Sequence, residues 1–143
     1  MNAAEHLLAG APGQIALIEG DIRVDYAGLR ADCIRSAAAL HDAGLRPGDA
    51  CVLALPDGIE WATAFIGMLW AGVRPIAINP RTAAAQITDL MQDSGAAAAL
   101  LEDQAARALG FTAYKVHPFY DATRDIALAQ ALREVAGPSM RLM

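Results

Sequence analysis

Short apolar runs alternate with segments of helical periodicity through the middle of the chain, and this alternation constrains the fold more than any other feature. The apolar runs are Ala50–Leu55 (ACVLAL), Val73–Ile78 and Ala97–Leu101. A continuous apolar run is typical of a strand that is covered on both faces, as in a parallel sheet. The connections are short, which favours right-handed crossovers between the strands. The sequence therefore predicts an α/β fold in layers, with a mostly parallel sheet and flanking helices.

A β-hairpin is predicted before the alternating region. Gln14–Glu19 has the pattern of a strand, Gly20-Asp21 that of a turn, and Ile22–Val24 that of the returning strand. Asp25 then occupies the N-cap position of a long helix, Tyr26–Ala43, because its carboxylate can accept a backbone N–H of the first turn. A short helix is expected ahead of the hairpin.

Two further helices are predicted between the apolar strands. Ile59–Ala71 is apolar nearly all round, so it needs cover on more than one side. Ala83–Gln92 is amphipathic, and Thr82 is its predicted cap. Beyond these the pattern predicts a helix, a strand and a last amphipathic helix, namely Glu102–Leu109, Phe111–Val116 and Thr123–Ala136. The whole chain, residues 1–143, is predicted to form a single α/β domain.

Composition and charge exclude several classes of protein. With 55% hydrophobic and 19% charged residues, the chain has the composition of a globular protein. Its net charge of -5 argues against a nucleic-acid partner, because phosphate binding needs a basic face. The longest charge-free apolar window, residues 61–73, is shorter than the ~20 residues that a membrane span requires. Because the N-terminus also lacks the basic region of a signal peptide, we expect a soluble, cytoplasmic protein.

Residues that could carry chemistry are scattered along the sequence. Cys33 and Cys51 lie in apolar contexts and form no CxxC pair, which favours two buried thiols in a reducing compartment. His6, His41 and His117 are far apart and lack the close spacing of a metal site. We interpret all three as ordinary surface or loop histidines.

Two acidic pairs have the i,i+4 spacing of a helix. Asp89 and Asp93 are interpreted as part of a solvated helix face, and Asp121 and Asp125 as acids at a helix N-terminus. The segment 117–120 combines a histidine with two aromatic residues. It is interpreted as a loop packed on the core, with the lining of a small pocket as the alternative.

Four stretches resemble, in their order and spacing, the opening of the AMP-forming acyl-/aryl-CoA synthetase superfamily, also called adenylate-forming or AMP-binding ligases. The first stretch is a hairpin, and the second is a capped helix that starts near a Tyr, ends at a Gly and leads through a G-D turn into a strand. The third is a buried helix followed by a strand ending in N-P-R. The fourth is a helix followed by a D-S-G turn and a strand. The stretches are Ala16–Val24, Val24–Pro56, Gly58–Arg81 and Ile87–Asp103. The resemblance covers residues 14–103, and residues 104–143 are a diverged continuation.

The resemblance implies a ligase that activates a carboxylate with ATP and Mg and then passes the acyl group to CoA. Such chemistry needs backbone amides and a lysine to neutralise the ATP phosphates. In the family these groups come from a Ser/Thr/Gly-rich loop ending in Pro-Lys, downstream of the matched region. Lys115 is the only lysine here, and it lies in a predicted strand. We therefore assign no catalytic, cofactor-binding or metal-binding residue and expect this chain alone to bind no cofactor.

Three hypotheses for the function remain open. In the first, the chain is the N-terminal scaffold or a split piece of an AMP-dependent ligase, inactive by itself, which associates with itself or with a complementary ligase fragment. In the second, it is a stand-alone interaction protein derived from that family. In the third, it binds a small molecule at the carboxyl ends of the strands, where Leu55-Pro56-Asp57 and Ile78-Asn79-Pro80 are expected. Whether the chain is part of an active enzyme is left open.

Overall fold

From residue 3 to residue 101, the helices and strands follow one another in the order that the sequence pattern predicts. The computed structural model describes residues 2–102, 113–114 and 141–142. Its elements are α1 (Ala3–Leu7), β1 (Ile15–Glu19), β2 (Ile22–Asp25), α2 (Tyr26–Asp42), β3 (Ala50–Ala54), α3 (Ile59–Trp70), β4 (Arg74–Ala77), α4 (Ala84–Ser94), β5 (Ala98–Leu101), β6 (Ala113–Tyr114) and β7 (Arg141–Leu142).

The chain divides into two compact units, residues 1–102 and 103–143. In the second unit β6 and β7 pair in parallel, with Ala113 opposite Arg141. β6 lies inside the strand predicted for residues 111–116, whereas the two helices predicted after residue 102 lie outside the described residues. The assignment of a single domain to residues 1–143 stays a prediction.

A parallel sheet of three strands, in the order β4-β3-β5, forms the centre of the first unit. Val52 in the middle strand lies opposite Ile76 on one side and Ala99 on the other. All five residues of β3 are buried. The predicted parallel sheet is confirmed, and the burial of β3 explains its continuous apolar sequence, since neither of its faces meets water.

Two hydrophobic clusters fill the first unit. The sheet core consists of the buried side chains of Leu45, Cys51, Leu53, Leu55, Ala64, Met68 and Val73. The N-terminal core consists of Ala4, Leu8, Leu29, Cys33 and Ile66. Helix α3 contributes to both clusters, which confirms the prediction that this helix is covered on more than one side.

The predicted hairpin is present. β1 and β2 pair antiparallel, with Leu17 opposite Val24, and a bulge lies between Ile15 and Leu17. Gly20 has a φ of 56° in the turn, a left-handed conformation that glycine adopts at little cost. Leu17 and Val24 pack against the N-terminal core, so the hairpin covers part of that cluster.

The ends of the helices show one correct and one wrong capping prediction. A side-chain oxygen of Asp25 accepts a hydrogen bond from the Gly28 N–H at 2.8 Å, as predicted for the N-cap of α2. The prediction that Thr82 caps α4 is wrong, because Ala83 is the N-cap residue of that helix. The Thr82 hydroxyl instead donates to the carbonyl of Asn79 at 2.7 Å. The helix begins at Ala84, one residue later than predicted, so Thr82 lies outside the N-cap position.

Replacement of Asp25 by alanine is expected to lower the free energy of unfolding by about 1 kcal/mol, because it removes the acceptor for the Gly28 N–H. Urea denaturation of the purified chain measures this loss. Asp25→Asn is the matched control, since its amide oxygen can accept the same bond. An alanine variant as stable as the unmodified chain would show that the bond does not stabilise α2.

Candidate functional site

The carboxyl ends of the three parallel strands meet at one edge of the sheet, as predicted. The register places Leu53 opposite Ala77 and Ala54 opposite Leu101, so the strands end side by side. Asp57, Asn79 and Glu102 are exposed just beyond these ends. Open α/β sheets place their ligands at such an edge, which makes it the first candidate for a functional site.

The segment after β4 uses its polar groups within its own turn. The side-chain oxygen of Asn79 accepts a hydrogen bond from the Arg81 N–H at 2.8 Å. The carbonyl of Asn79 accepts from the Thr82 N–H at 3.0 Å and from the Thr82 hydroxyl at 2.7 Å. The Asn79 acceptors therefore fix the connection to α4 rather than point to a ligand.

The N-terminus of α3 begins next to the end of β3 and is occupied by a carboxylate of the same chain. Glu19, at the end of β1, accepts a hydrogen bond from the Ile59 N–H at 2.8 Å. A Cβ added at Gly58 would lie 2.9 Å from Glu19 Oε1, so the glycine leaves room for the carboxylate. Helix N-termini attract anions. Here the first exposed amide of the helix is already bonded within the chain.

No sequence signal identifies Glu19, because its partner lies 40 residues further along the chain. Capping patterns can be recognised only when the acceptor lies within a few residues of the helix start. The only local signal is Gly58, whose lack of a side chain leaves space for another group. The glycine does not indicate which residue fills that space.

The two thiols are free and buried, as predicted. Burial raises the pKa of Cys33 to about 11, and the Asp32 carboxylate adds to the rise. Burial also raises the pKa of Cys51 to about 11, against a lowering by a hydrogen bond from the Leu100 backbone. Because the thiolate is the nucleophile, both groups are inert near neutral pH while they stay buried.

The remaining polar candidates that the structure describes are not brought together. His6 and His41 are exposed, and so are Asp89 and Asp93, as expected of a solvated helix face. Within residues 2–102, 113–114 and 141–142, no group of three or more His, Cys, Asp or Glu side chains could hold a metal ion. The other candidates lie outside the described residues, namely Lys115, His117, Asp121, Asp125 and the segment 117–120.

In the described part of the chain, no helix is both long enough and apolar enough to cross a membrane.

Comparison with known proteins gives a consistent set of relatives. The chain is 44% identical over 82 residues to pyochelin synthase PchD of Pseudomonas aeruginosa, which covers 55% of this chain and 15% of that protein. It is 34% identical over 102 residues to the salicyl-AMP ligase / salicyl-S-ArCP synthetase of Mycobacterium tuberculosis, which covers 66% of this chain and 18% of that protein. The chain therefore spans less than a fifth of either relative.

A solved structure confirms the fold class. The benzoate CoA ligase of Burkholderia xenovorans superimposes with a TM-score of 0.70 at 26% identity, over 77% of this chain and 23% of that one. The sequence profile of the family described as "AMP-binding enzyme" matches residues 4–138. That match includes most of residues 104–143, where the resemblance is weaker. The chain belongs to the family of AMP-binding enzymes.

Proposed function

We propose that the chain is the N-terminal scaffold of an AMP-forming ligase and is inactive without the rest of the AMP-binding domain. The observation that carries this proposal is the family match over residues 4–138, in a chain that spans only 15% and 18% of two curated relatives. The scaffold supplies the three-stranded sheet and its helices. The groups that bind and activate the substrates come from sequence outside the matched region.

The chemistry of triphosphate binding supports this division of roles. A cluster of backbone amides and a cation must neutralise the phosphates. At the carboxyl edge of the sheet, the Ile59 amide is bonded to Glu19, and Asn79 is bonded within its turn. These internal bonds also argue against a ligand site at this edge, so we do not propose the small-molecule binding module. The sequence supplies one lysine, Lys115.

A small aromatic carboxylic acid is the substrate class that the comparisons favour for the complete enzyme. One relative is named a salicyl-AMP ligase, and the similar solved structure is named a benzoate CoA ligase. Salicylate and benzoate are both aromatic rings that carry a carboxylate. We propose ATP, Mg and CoA or a carrier thiol as the co-substrates of the complete enzyme.

Transplantation of the scaffold tests this function directly. In a chimera, residues 4–102 of this chain replace the matching segment of the Mycobacterium tuberculosis salicyl-AMP ligase. We expect the chimera to exchange pyrophosphate into ATP in the presence of salicylate, because the chemistry comes from the remainder of the relative. A chimera that folds by circular dichroism yet shows no salicylate-dependent exchange would contradict the scaffold role.

A chimera carrying Leu53→Ala is the matched control. Leu53 is fully buried in the sheet core and touches no substrate in this account. The substitution is therefore expected to lower the thermal stability of the chimera and to leave its preference for salicylate over other acids unchanged.

Self-association is expected of the isolated chain. The hairpin exposes 60% of Ile18 and 61% of Ile22, and apolar surface of this kind tends to be buried by a partner. We expect light-scattering chromatography at micromolar concentration to give a dimer or a larger species. Ile18→Lys and Ile22→Lys together should shift the mass towards the monomer. A sharp monomer peak for the unmodified chain would contradict the expectation.

A further inference from the structure

We propose that residues 2–24, which we name the N-terminal strap, open as one unit while the sheet core stays closed. The strap contains α1 and the hairpin up to Val24, and it packs against the N-terminal core. In this proposal, opening of the strap exposes Cys33, whereas Cys51 becomes accessible only when the whole first unit unfolds. The inference does not depend on the proposed ligase function.

The separation of the two hydrophobic clusters is the first support for separate opening of the strap. The buried members of the sheet core, and the half-buried residues packed against it, all lie between residues 40 and 100. None of them belongs to the strap. The N-terminal core, by contrast, takes Ala4 and Leu8 from α1 and packs against Leu17 and Val24 of the hairpin. Removal of the strap therefore uncovers one cluster and leaves the other intact.

Side-chain hydrogen bonds at three separate points hold the strap in place. At its start, Asn2 Nδ2 donates to the Leu69 carbonyl at 2.9 Å and to the Trp70 carbonyl at 3.3 Å, at the end of α3. After α1, Arg30 Nη2 donates to the Leu8 carbonyl at 2.9 Å. At the hairpin, Glu19 accepts from the Ile59 N–H at 2.8 Å. These contacts join the strap to α2 and to both ends of α3.

The outer surface of the strap explains why it opens before the rest of the unit. Of the large apolar side chains that the described residues expose, only Ile34 lies outside the strap; the others are Leu7, Ile15, Ile18 and Ile22. Exposed apolar side chains contribute little to the stability of an element. Elements with few buried apolar contacts open locally at a lower free energy than the core.

The two thiols are matched internal reporters of this opening. Cys33 belongs to the N-terminal core and is fully buried, and Cys51 belongs to the sheet core and is 1% exposed. Burial raises the pKa of each to about 11, so their reactivity in the closed state is suppressed to a similar degree. A difference in their labelling rates therefore reports a difference in opening.

Labelling of the full chain with N-ethylmaleimide, followed by peptide mass spectrometry, tests the proposal. The thiolate sulfur adds to the alkene of the reagent, the second alkene carbon takes up a proton, and no oxidant is required. When closing is faster than alkylation, the labelling rate follows the population of the open form. We expect Cys33 to be labelled at least about tenfold faster than Cys51.

Variants at the anchors and in the sheet core together separate strap opening from global unfolding. Asn2→Ala removes the two bonds to the end of α3, and Glu19→Ala removes the bond to the Ile59 N–H. Each is expected to raise the Cys33 rate about fivefold. Because global unfolding breaks the same bonds, the Cys51 rate is expected to rise by a similar factor. Val73→Ala, in the sheet core, is expected to raise the Cys51 rate alone and to leave the Cys33 rate unchanged, because the sheet core stays closed when the strap opens. If both thiols react at one rate and shift together in every variant, the strap does not open separately.

Hydrogen exchange of the unmodified chain gives a second measurement that needs no variant. The amides of β1 and β2 are expected to exchange faster than those of β3, since only the hairpin belongs to the strap. If the amides of β1 and β2 were protected as strongly as those of β3, the proposal would be overturned.

Discussion

Replacement of Leu53 by alanine is expected to lower the free energy of unfolding by about 2–5 kcal/mol, because the change leaves a cavity in the sheet core. Leu53 is fully buried in the middle strand, between Ala77 of β4 and Leu100 of β5. The surrounding strands are held in register by backbone hydrogen bonds, so they cannot collapse freely into the space.

Urea denaturation followed by circular dichroism measures the loss at Leu53. Ile34→Ala is the matched control, since it removes a large apolar side chain that is 46% exposed and lies outside the hairpin. The control is expected to change the free energy of unfolding by no more than about 0.5 kcal/mol. If the two variants lost the same stability, β3 would not form the centre of the hydrophobic core.

Replacement of Gly67 by alanine is expected to lower the free energy of unfolding by about 1–3 kcal/mol, although the same change stabilises an exposed helix by about 1 kcal/mol. The sign reverses because α2 and α3 approach each other closely at this point. A Cβ added at Gly67 would lie 2.6 Å from the Ser36 side chain and 3.2 Å from the Cys33 carbonyl oxygen. The helices must move apart to admit the methyl group.

A double-mutant cycle with Ser36→Gly isolates this steric contact. The methyl group added at residue 67 lies closest to the Ser36 side chain. Removal of that side chain by Ser36→Gly is therefore expected to restore part of the stability that Gly67→Ala loses. Thermal unfolding of the four chains measures the coupling. Additive effects of the two substitutions, or a stabilised Gly67→Ala variant, would contradict the close approach.

The strands and helices were predictable because local chemistry marks where they begin and end. The apolar run of β3 has no polar residue to face solvent, and the structure buries all five positions. Gly44 follows α2 with a φ of 98°, which few other residues adopt without strain. Asp25 caps α2 with a partner only three residues away. Each rule acts over a few residues and therefore can be read from sequence.

Contacts between distant segments were not predictable in this way. Glu19 caps a helix that begins 40 residues later, and Asn2 binds the end of the same helix 67 residues away. The residues next to Glu19 and Asn2 in sequence do not indicate these partners. The cap of α4 was predicted wrongly because the helix begins one residue later, at Ala84, which makes Ala83 rather than Thr82 the N-cap residue. The contacts of Glu19 and Asn2 depend on packing that forms only in the folded chain.

The family could be predicted from sequence, whereas its site could not. Glycine, proline and aspartate at the helix and strand ends have ordinary structural roles, and only their order resembles the AMP-binding enzymes. The profile match over residues 4–138 confirms that resemblance. The described residues share the fold of a solved benzoate CoA ligase. At the edge where the strands end, Glu19 accepts from the Ile59 N–H and Asn79 from the Arg81 N–H.

Exchange of labelled pyrophosphate into ATP by the purified chain alone, with Mg²⁺ and a panel of aromatic and aliphatic carboxylic acids, tests the central claim most directly. The scaffold account predicts no exchange above the rate without protein, whichever acid is supplied. Acid-dependent exchange by the chain alone would contradict it, because these 143 residues would then bind ATP and convert the acid to its adenylate without a further domain.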